Sequence, residues 1–190
     1  MISGPPGFSA ILNGITYGFE LALRKVDPND ASIHPNGPVA INQAIWFRFM
    51  ITVLNGSLVM GFTSVSSVMM FVMVVLIDTL AYPVVSHAIL FQNGMGARFP
   101  SFITSYTWVG NLRVLLVMTL TLLSSFLGTP QLQIMLLPIG LWMIWASWSV
   151  ATLSLQRGGL AGAGMVVLSM LLEVIILMAM LVFINPEMMS

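Results

Sequence analysis

Hydrophobic residues fill most of the chain in long runs separated by short polar breaks. Five runs stand out, at roughly Val39–Phe62, Ser66–Phe91, Phe102–Leu127, Gln131–Leu155 and Leu160–Ile184. Each is near or above the ~20 residues an α-helix needs to cross ~30 Å of hydrocarbon. The breaks between them are short: Thr63–Val65, Gln92–Ser101, Gly128–Pro130 and Gln156–Gly159. Consecutive spans are therefore expected to be antiparallel neighbours. The first run is the most interrupted, by Asn42, Gln43, Arg48, Asn55 and Ser57. Pro83 and Pro138 are expected to kink the second and fourth spans.

Ahead of these runs the period changes. Phe8, Ile11, Leu12, Ile15, Phe19 and Leu23 recur at helical spacing, with Asn13, Thr16 and Glu20 on other sides. The segment is too polar to span, which predicts an amphipathic helix lying at the membrane interface. A helix packed on another subunit or on loops fits the same pattern. Residues 26–38 are rich in Pro, Asn, Asp and Gly and read as a polar loop that holds His34. The chain thus divides into residues 1–38, an amphipathic helix and loop, and residues 39–190, a five-helix transmembrane bundle.

Composition sharpens the class. Of 190 residues, 58% are hydrophobic and 6% charged, with a mean hydropathy of +0.99. A soluble domain carries about 25% charged residues, so the expected fold class is an all-α integral membrane protein. Net charge is zero, with no basic run, which points away from nucleic acid. The absence of cysteine excludes disulfides, thiolate metal sites and cysteine nucleophiles. Residues Met1–Gly7 lack the features of a signal peptide, so the N-terminus is expected to be retained.

Outside the runs the basic residues are Arg24, Lys25, Arg98 and Arg157. Five spans put all four on one side, and the positive-inside rule makes that side cytoplasmic. The expected placement is a bacterial inner membrane, N-terminus in the cytoplasm and C-terminus, with Glu187, in the periplasm.

Four charged residues fall within the proposed spans: Arg48, Asp78, Arg113 and Glu173. Each central charge costs at least ~2.5–3.5 kcal/mol to insert, so two acids and two bases suggest pairing. Taking residue 96 as the tip of the Ser64–Leu127 hairpin, Asp78 lies 18 residues back and Arg113 17 residues on. That levels them in the membrane and favours them as partners. Glu173 reaches a similar depth and is a second candidate for Arg113, while Arg48 sits near enough to the interface to snorkel. The cluster reads either as a conformational lock between helices or as a proton or ion path. No stepped run of Asp, Glu and His accompanies it, which favours the lock.

His87 is the candidate for imidazole ligation of haem or chlorophyll, although a lone histidine more commonly pairs with backbone or a lipid headgroup. A metal site is not expected, because the 16 methionines form no paired ladder. Neither a resident cofactor nor catalysis is expected: there is no phosphate loop, nucleophile elbow or HExxH helix. Gly158 and Gly162 form a small-xxx-small pattern for close helix packing, in line with Ser169 and Glu173. Trp142, Trp145 and Trp148 are read as packing residues.

From Ala22 onward the order of parts resembles a family. An acidic, proline-bearing loop leads to Trp46-Phe47-Arg48; Phe99-Pro100 leads to Tyr106-Thr107-Trp108; and Arg157-Gly-Gly-Leu160 opens a last helix with Glu173 at its middle. This resembles the small bacterial, alphaproteobacterial-type relatives of the YIP (Rab-GTPase-interacting) five-span membrane proteins, with Thr107 in place of the usual Asn. The resemblance implies five helices and a cytoplasmic N-terminus, and carries no residue-level activity.

These readings lead to a non-enzymatic inner-membrane scaffold or accessory subunit. It would work through membrane lipids and other membrane-protein subunits or copies of itself. Two alternatives stay open: a small transporter or ion-translocating protein using Asp78, Arg113 and Glu173, and an accessory subunit of a photosynthetic or respiratory complex.

Overall fold

The computed structural model describes residues 6–30, 37–59 and 65–184. Those residues are helical apart from short turns. The helices are α1 (Phe8–Ala22), α2 (Pro38–Val59), α3 (Val65–Gln92), α4 (Phe99–Leu127), α5 (Leu136–Leu155) and α6 (Gly159–Ile184). Short 3-10 turns, Gly96–Arg98 and Pro130–Met135, lead into α4 and α5. His34 and Glu187 lie outside the described residues.

Four stretches are long and apolar enough to cross a membrane: Val65–Gln92, Gly96–Leu127, Gln131–Leu155 and Gly159–Ala179. That is the make-up of a multi-pass membrane protein. The first of the five expected spans, α2, is long enough at 22 residues. Its polar side chains leave it short of the others in apolarity.

Helix ends follow from local chemistry. Pro100 sits in the first turn of α4, where its missing N–H costs nothing. Gly128, in the left-handed region at φ 61°, closes the other end and returns its N–H to Ser124 O. Pro138 also falls in a first turn, that of α5, after the 3-10 segment. The expected kink is therefore absent: at that position the ring interrupts no helical hydrogen bond. Pro83 is different. It lies well inside α3, and Ser86 Oγ donates to its carbonyl at 3.1 Å.

Helices α2, α4, α5, α6 and α3 pack in that order and close into a ring, α3 returning against α2. Three of the four consecutive pairs adjoin as expected, and α3–α4 is the exception. The α3–α4 hairpin touches chiefly near its turn, and its arms diverge to hold α6 and α2 instead. A short connection fixes only where two helices start together. Bulky aromatics at the turn end, with Tyr82 stacked on Tyr106 at 4.8 Å, set the arms apart.

One apolar core lies where α1, α2, α4 and α5 meet, around Trp108, Leu21, Met143 and Val150. A second lies near the turn end of α3, α4, α5 and α6, around Phe102, Leu90, Leu155 and Met165. Small residues bring α5 and α6 together. A β-carbon on Gly162 would stand 2.2 Å from Thr152 Oγ1 and 2.9 Å from Thr152 N. Gly158, by contrast, precedes α6 at φ 84° with open space around it. It makes the turn into the helix, so of the expected pair only Gly162 is a contact residue.

Helix α1 packs on the bundle by its small-residue face and leaves its apolar stripe outward. Gly14, Tyr17, Gly18, Leu21 and Ala22 are buried, one stripe at helical spacing. The apolar stripe Phe8, Leu12, Phe19 and Leu23 is exposed. The glycines explain the choice: β-carbons there would stand 2.0 Å from the Trp108 ring and 2.8 Å from the Trp108 carbonyl oxygen. Tyr17 and Ser105 share a hydrogen bond of 2.8 Å on the same face. A smooth small-residue face fits against α4 more closely than the bulky one does.

Candidate functional site

The ring holds a half-open cavity of about 70 Å³ at mid-height, and every ring helix contributes to its wall. From α2 comes Arg48; from α3, Asp78, Thr79 and Tyr82; from α4, Tyr106, Gly110 and Arg113. Ser147 of α5, and Ser169 and Glu173 of α6, complete the polar lining. All four charged residues singled out in the sequence thus meet in one place. The register explains why: Asp78, Arg113 and Glu173 each lie 14 residues from the end of their helix at the face carrying the α3–α4 turn. At about 1.5 Å per residue that is the same depth, about 21 Å.

The pairing differs from the favoured one. Arg113 Nη2 donates to Glu173 Oε1 at 2.5 Å. Asp78 makes no ion pair within 4 Å among the described residues. The level depth was right for all three groups, but the divergence of α3 from α4 carries Asp78 away, while α6 delivers its carboxylate to Arg113 on the far side of α5. Glu173, the second candidate, is the partner.

Arg48 turns inward rather than to the interface. Its Nη1 donates to the Gly110 carbonyl at 2.9 Å. Nearby, Asn111 Nδ2 donates to the Ala44 carbonyl at 3.0 Å, a second tie between α2 and α4. Both groups replace water with backbone carbonyl, the usual way a polar side chain is held in an apolar surround.

Two groups on the cavity wall have spare capacity. Thr79 is 6% exposed, and its Oγ1 has no hydrogen-bond partner. Pro83, four residues on, has no N–H to return to the Thr79 carbonyl. A buried polar atom without a partner is uncommon and calls for an explanation.

Toward the turn end the cavity is floored by aromatics. Tyr82, Phe102 and Tyr106 pack with centroids 4.8–6.3 Å apart. Tyr82 Oη donates to the Met165 carbonyl at 3.2 Å, tying α3 to α6. The sequence reading placed Ser169 beside Glu173 and Tyr106 in a motif, but singled out neither Thr79 nor Tyr82. A signal was present for Tyr82, which lies four residues from Asp78 on the same helical face; Thr79, one residue on, carries no such signal.

His87 stands apart from the cavity. It is exposed on α3, edge-on to Phe99 at 4.8 Å and stacked along Phe91. Among the described residues no group of three or more His, Asp or Glu side chains is placed to hold a metal ion. The tryptophans of α5 serve contacts: Trp148 Nε1 donates to the Gly159 carbonyl at 2.8 Å, and Arg24 lies over Trp145 at 4.6 Å.

The basic residues outside the ring gather at one end. Arg24 Nε donates to Ser149 Oγ at 2.5 Å, and Arg98 donates to the Leu155 carbonyl. Asn29 Nδ2 donates to the Leu153 carbonyl at 3.0 Å, and Ser101 Oγ donates to the Pro28 carbonyl at 2.6 Å. The segment before α2 and the α3–α4 turn therefore share the end where α5 finishes.

These features define an all-helical membrane bundle with a charged, polar cavity at its centre. No family model, curated protein or solved structure matches the chain.

Proposed function

We propose that the chain is a five-span inner-membrane protein of bacteria, working as a non-enzymatic scaffold or accessory subunit through contacts made inside the bilayer. The observation that carries this reading is the outer surface of α3 and α6. Met69, Met73, Ile77 and Val84 on α3, and Val167, Leu171, Val174 and Met178 on α6, are exposed along the length of the ring. The turns Gln92–Ser101 and Gln156–Gly159 are short, so partners are met mainly by such faces.

The fifth span in this reading is α2. Its approach segment shares an end with the α3–α4 turn, and Gly56 near its other end meets Phe71 near the start of α3. It thus runs the height of the ring, with Arg48 donating to the Gly110 carbonyl and the Ala44 carbonyl accepting from Asn111. The exposed stripe of α1 then lies at the interface, beside Arg24 and Lys25 on the cytoplasmic side. This is also the architecture that the likeness to the YIP family implies.

A photo-activated leucine or methionine analogue incorporated throughout the chain tests the scaffold reading in the native membrane. The expected product is a defined-size adduct with another membrane protein or a second copy, cross-linked through α3 or α6. Adducts with lipid alone contradict it.

A small transporter is the second reading, and one observation favours it: Asp78 and Thr79 face the cavity with polar atoms left unpaired. Proteoliposome flux lost in Asp78→Asn would support it over the first.

A further inference from the structure

We propose that the central cavity binds a small monovalent anion together with one proton, the anion held by Arg48, Thr79 and the protonated carboxyl of Asp78. This is a ligand site beyond the scaffold reading and does not depend on it.

The charges decide the stoichiometry. The ionisable acids and bases facing the cavity are Arg48 on α2, Asp78 on α3, Arg113 on α4 and Glu173 on α6; α5 offers only Ser147. The remaining titratable groups there are the phenols of Tyr82 and Tyr106. With all four ionised the sum is zero, so an added anion alone would leave a net charge at mid-depth, where charge is unfavourable. A proton accompanying the anion keeps the sum at zero.

Glu173 is not the group that takes it. Its carboxylate is held by Arg113 at 2.5 Å. Asp78 has no such partner within 4 Å among the described residues, and of the nearby cations Arg48 acts on it most strongly. Protonation turns Asp78 from a pure acceptor into a hydrogen-bond donor.

Three donors then face one space. Arg48 donates one N–H to Gly110, and its guanidinium carries five. The Thr79 hydroxyl, buried within the cavity wall and without a hydrogen-bond partner among the described residues, is the second donor. The Asp78 carboxyl is the third. Arg48 and Asp78 line the same cavity of about 70 Å³, with no ion pair between them within 4 Å. A water needs only about 10–15 Å³ of such space, so the cavity admits a few waters or an anion of formate size.

The full chain, purified in mild detergent and titrated with sodium formate in weakly buffered solution, tests the proposal by heat and by proton uptake. The expected result is one proton taken up per formate bound, with affinity falling about tenfold per pH unit above the Asp78 midpoint. Asp78→Asn, which keeps a donor in place of the acid, is expected to bind formate without proton uptake and without pH dependence. Arg48→Gln, checked for helicity and a single oligomeric species, is expected to bind at least tenfold more weakly. The proposal is overturned by no binding at about 100 mM formate near pH 5, which would mean that water alone fills the space. Binding without proton uptake by the unaltered chain overturns it equally. So does a well-folded Arg48→Gln that binds formate as tightly as the unaltered chain. If Asp78→Asn does not fold, the proton stoichiometry of the unaltered chain decides.

Discussion

Arg113 reaches from α4 to Glu173 on α6, two helices that share almost no other contact because α5 stands between them in the ring. Their 2.5 Å ion pair is therefore a strut across the bundle rather than a clasp between neighbours. The side chains are 34% and 37% exposed in the isolated chain, which in a bilayer faces hydrocarbon or the cavity instead of water. Little screening is then available, and loss of either partner leaves an unpaired charge.

Arg113→Gln and Glu173→Gln are each expected to destabilise the bundle by about 1–3 kcal/mol. The double substitution should recover at least about 0.6 kcal/mol relative to additivity, the typical coupling of a polar pair in membrane helices. Unfolding followed by helicity in detergent measures the cycle. The same cycle on Asp78 and Arg113 should show weaker coupling, since those two do not touch.

Docking of α1 depends on its two glycines. Gly14→Val places carbon where the Trp108 ring already lies, the β-carbon standing 2.0 Å from the nearest ring atom. Helix α1 should detach at a cost of about 1–3 kcal/mol, exposing residues 24–30 to protease. Trp108→Ala in the same chain should partly restore protection.

Tyr17 makes that docking sensitive to alkali. Burial pushes its phenol above the ordinary value of about 10, opposed by the hydrogen bond with Ser105 and assisted by Asp27 and Asp30. A raised value means that the docked state favours the neutral phenol. Docking stability is thus complete below about pH 10 and falls as pH rises beyond it, because the released Tyr17 ionises first. Protease sensitivity of residues 24–30 should rise above about pH 10 and lose that rise in Tyr17→Phe.

Gly162 tests the tightest contact in the ring. Gly162→Ala sets a methyl 2.9 Å from the Thr152 backbone nitrogen, which no side-chain rotation relieves. The expected cost is about 1–3 kcal/mol in detergent unfolding. Gly164→Ala, with open space at that position, should be close to neutral.

The sequence showed depth but not direction. Hydrophobic run length and spacing to the turns were enough to place Asp78, Arg113 and Glu173 on one level, because rise per residue is nearly constant in a helix. Pairing depends on which helices adjoin, and that is set by shape: Gly162 admits α5 against α6, while Tyr82, Phe102 and Tyr106 hold α3 off α4. None of this shows in a hydropathy profile. Helix α1 teaches the same point. Its strongest apolar stripe was legible, yet the buried face is the one with glycines, chosen by fit to Trp108 rather than by hydrophobicity. Of the polar residues that lower the apolarity of α2, Arg48 is the one that binds Gly110 within the ring.

The central claim is that α2 crosses the membrane with the other four helices and brings Arg48 to the cavity. The chain has no cysteine, so single cysteines can be placed at Asn29, Asn93 and Gln131 and labelled by an impermeant reagent from either side of sealed vesicles. Asn29 and Asn93 are expected to label from one side and Gln131 from the other. Labelling of Asn29 together with Gln131, opposite Asn93, would contradict the account.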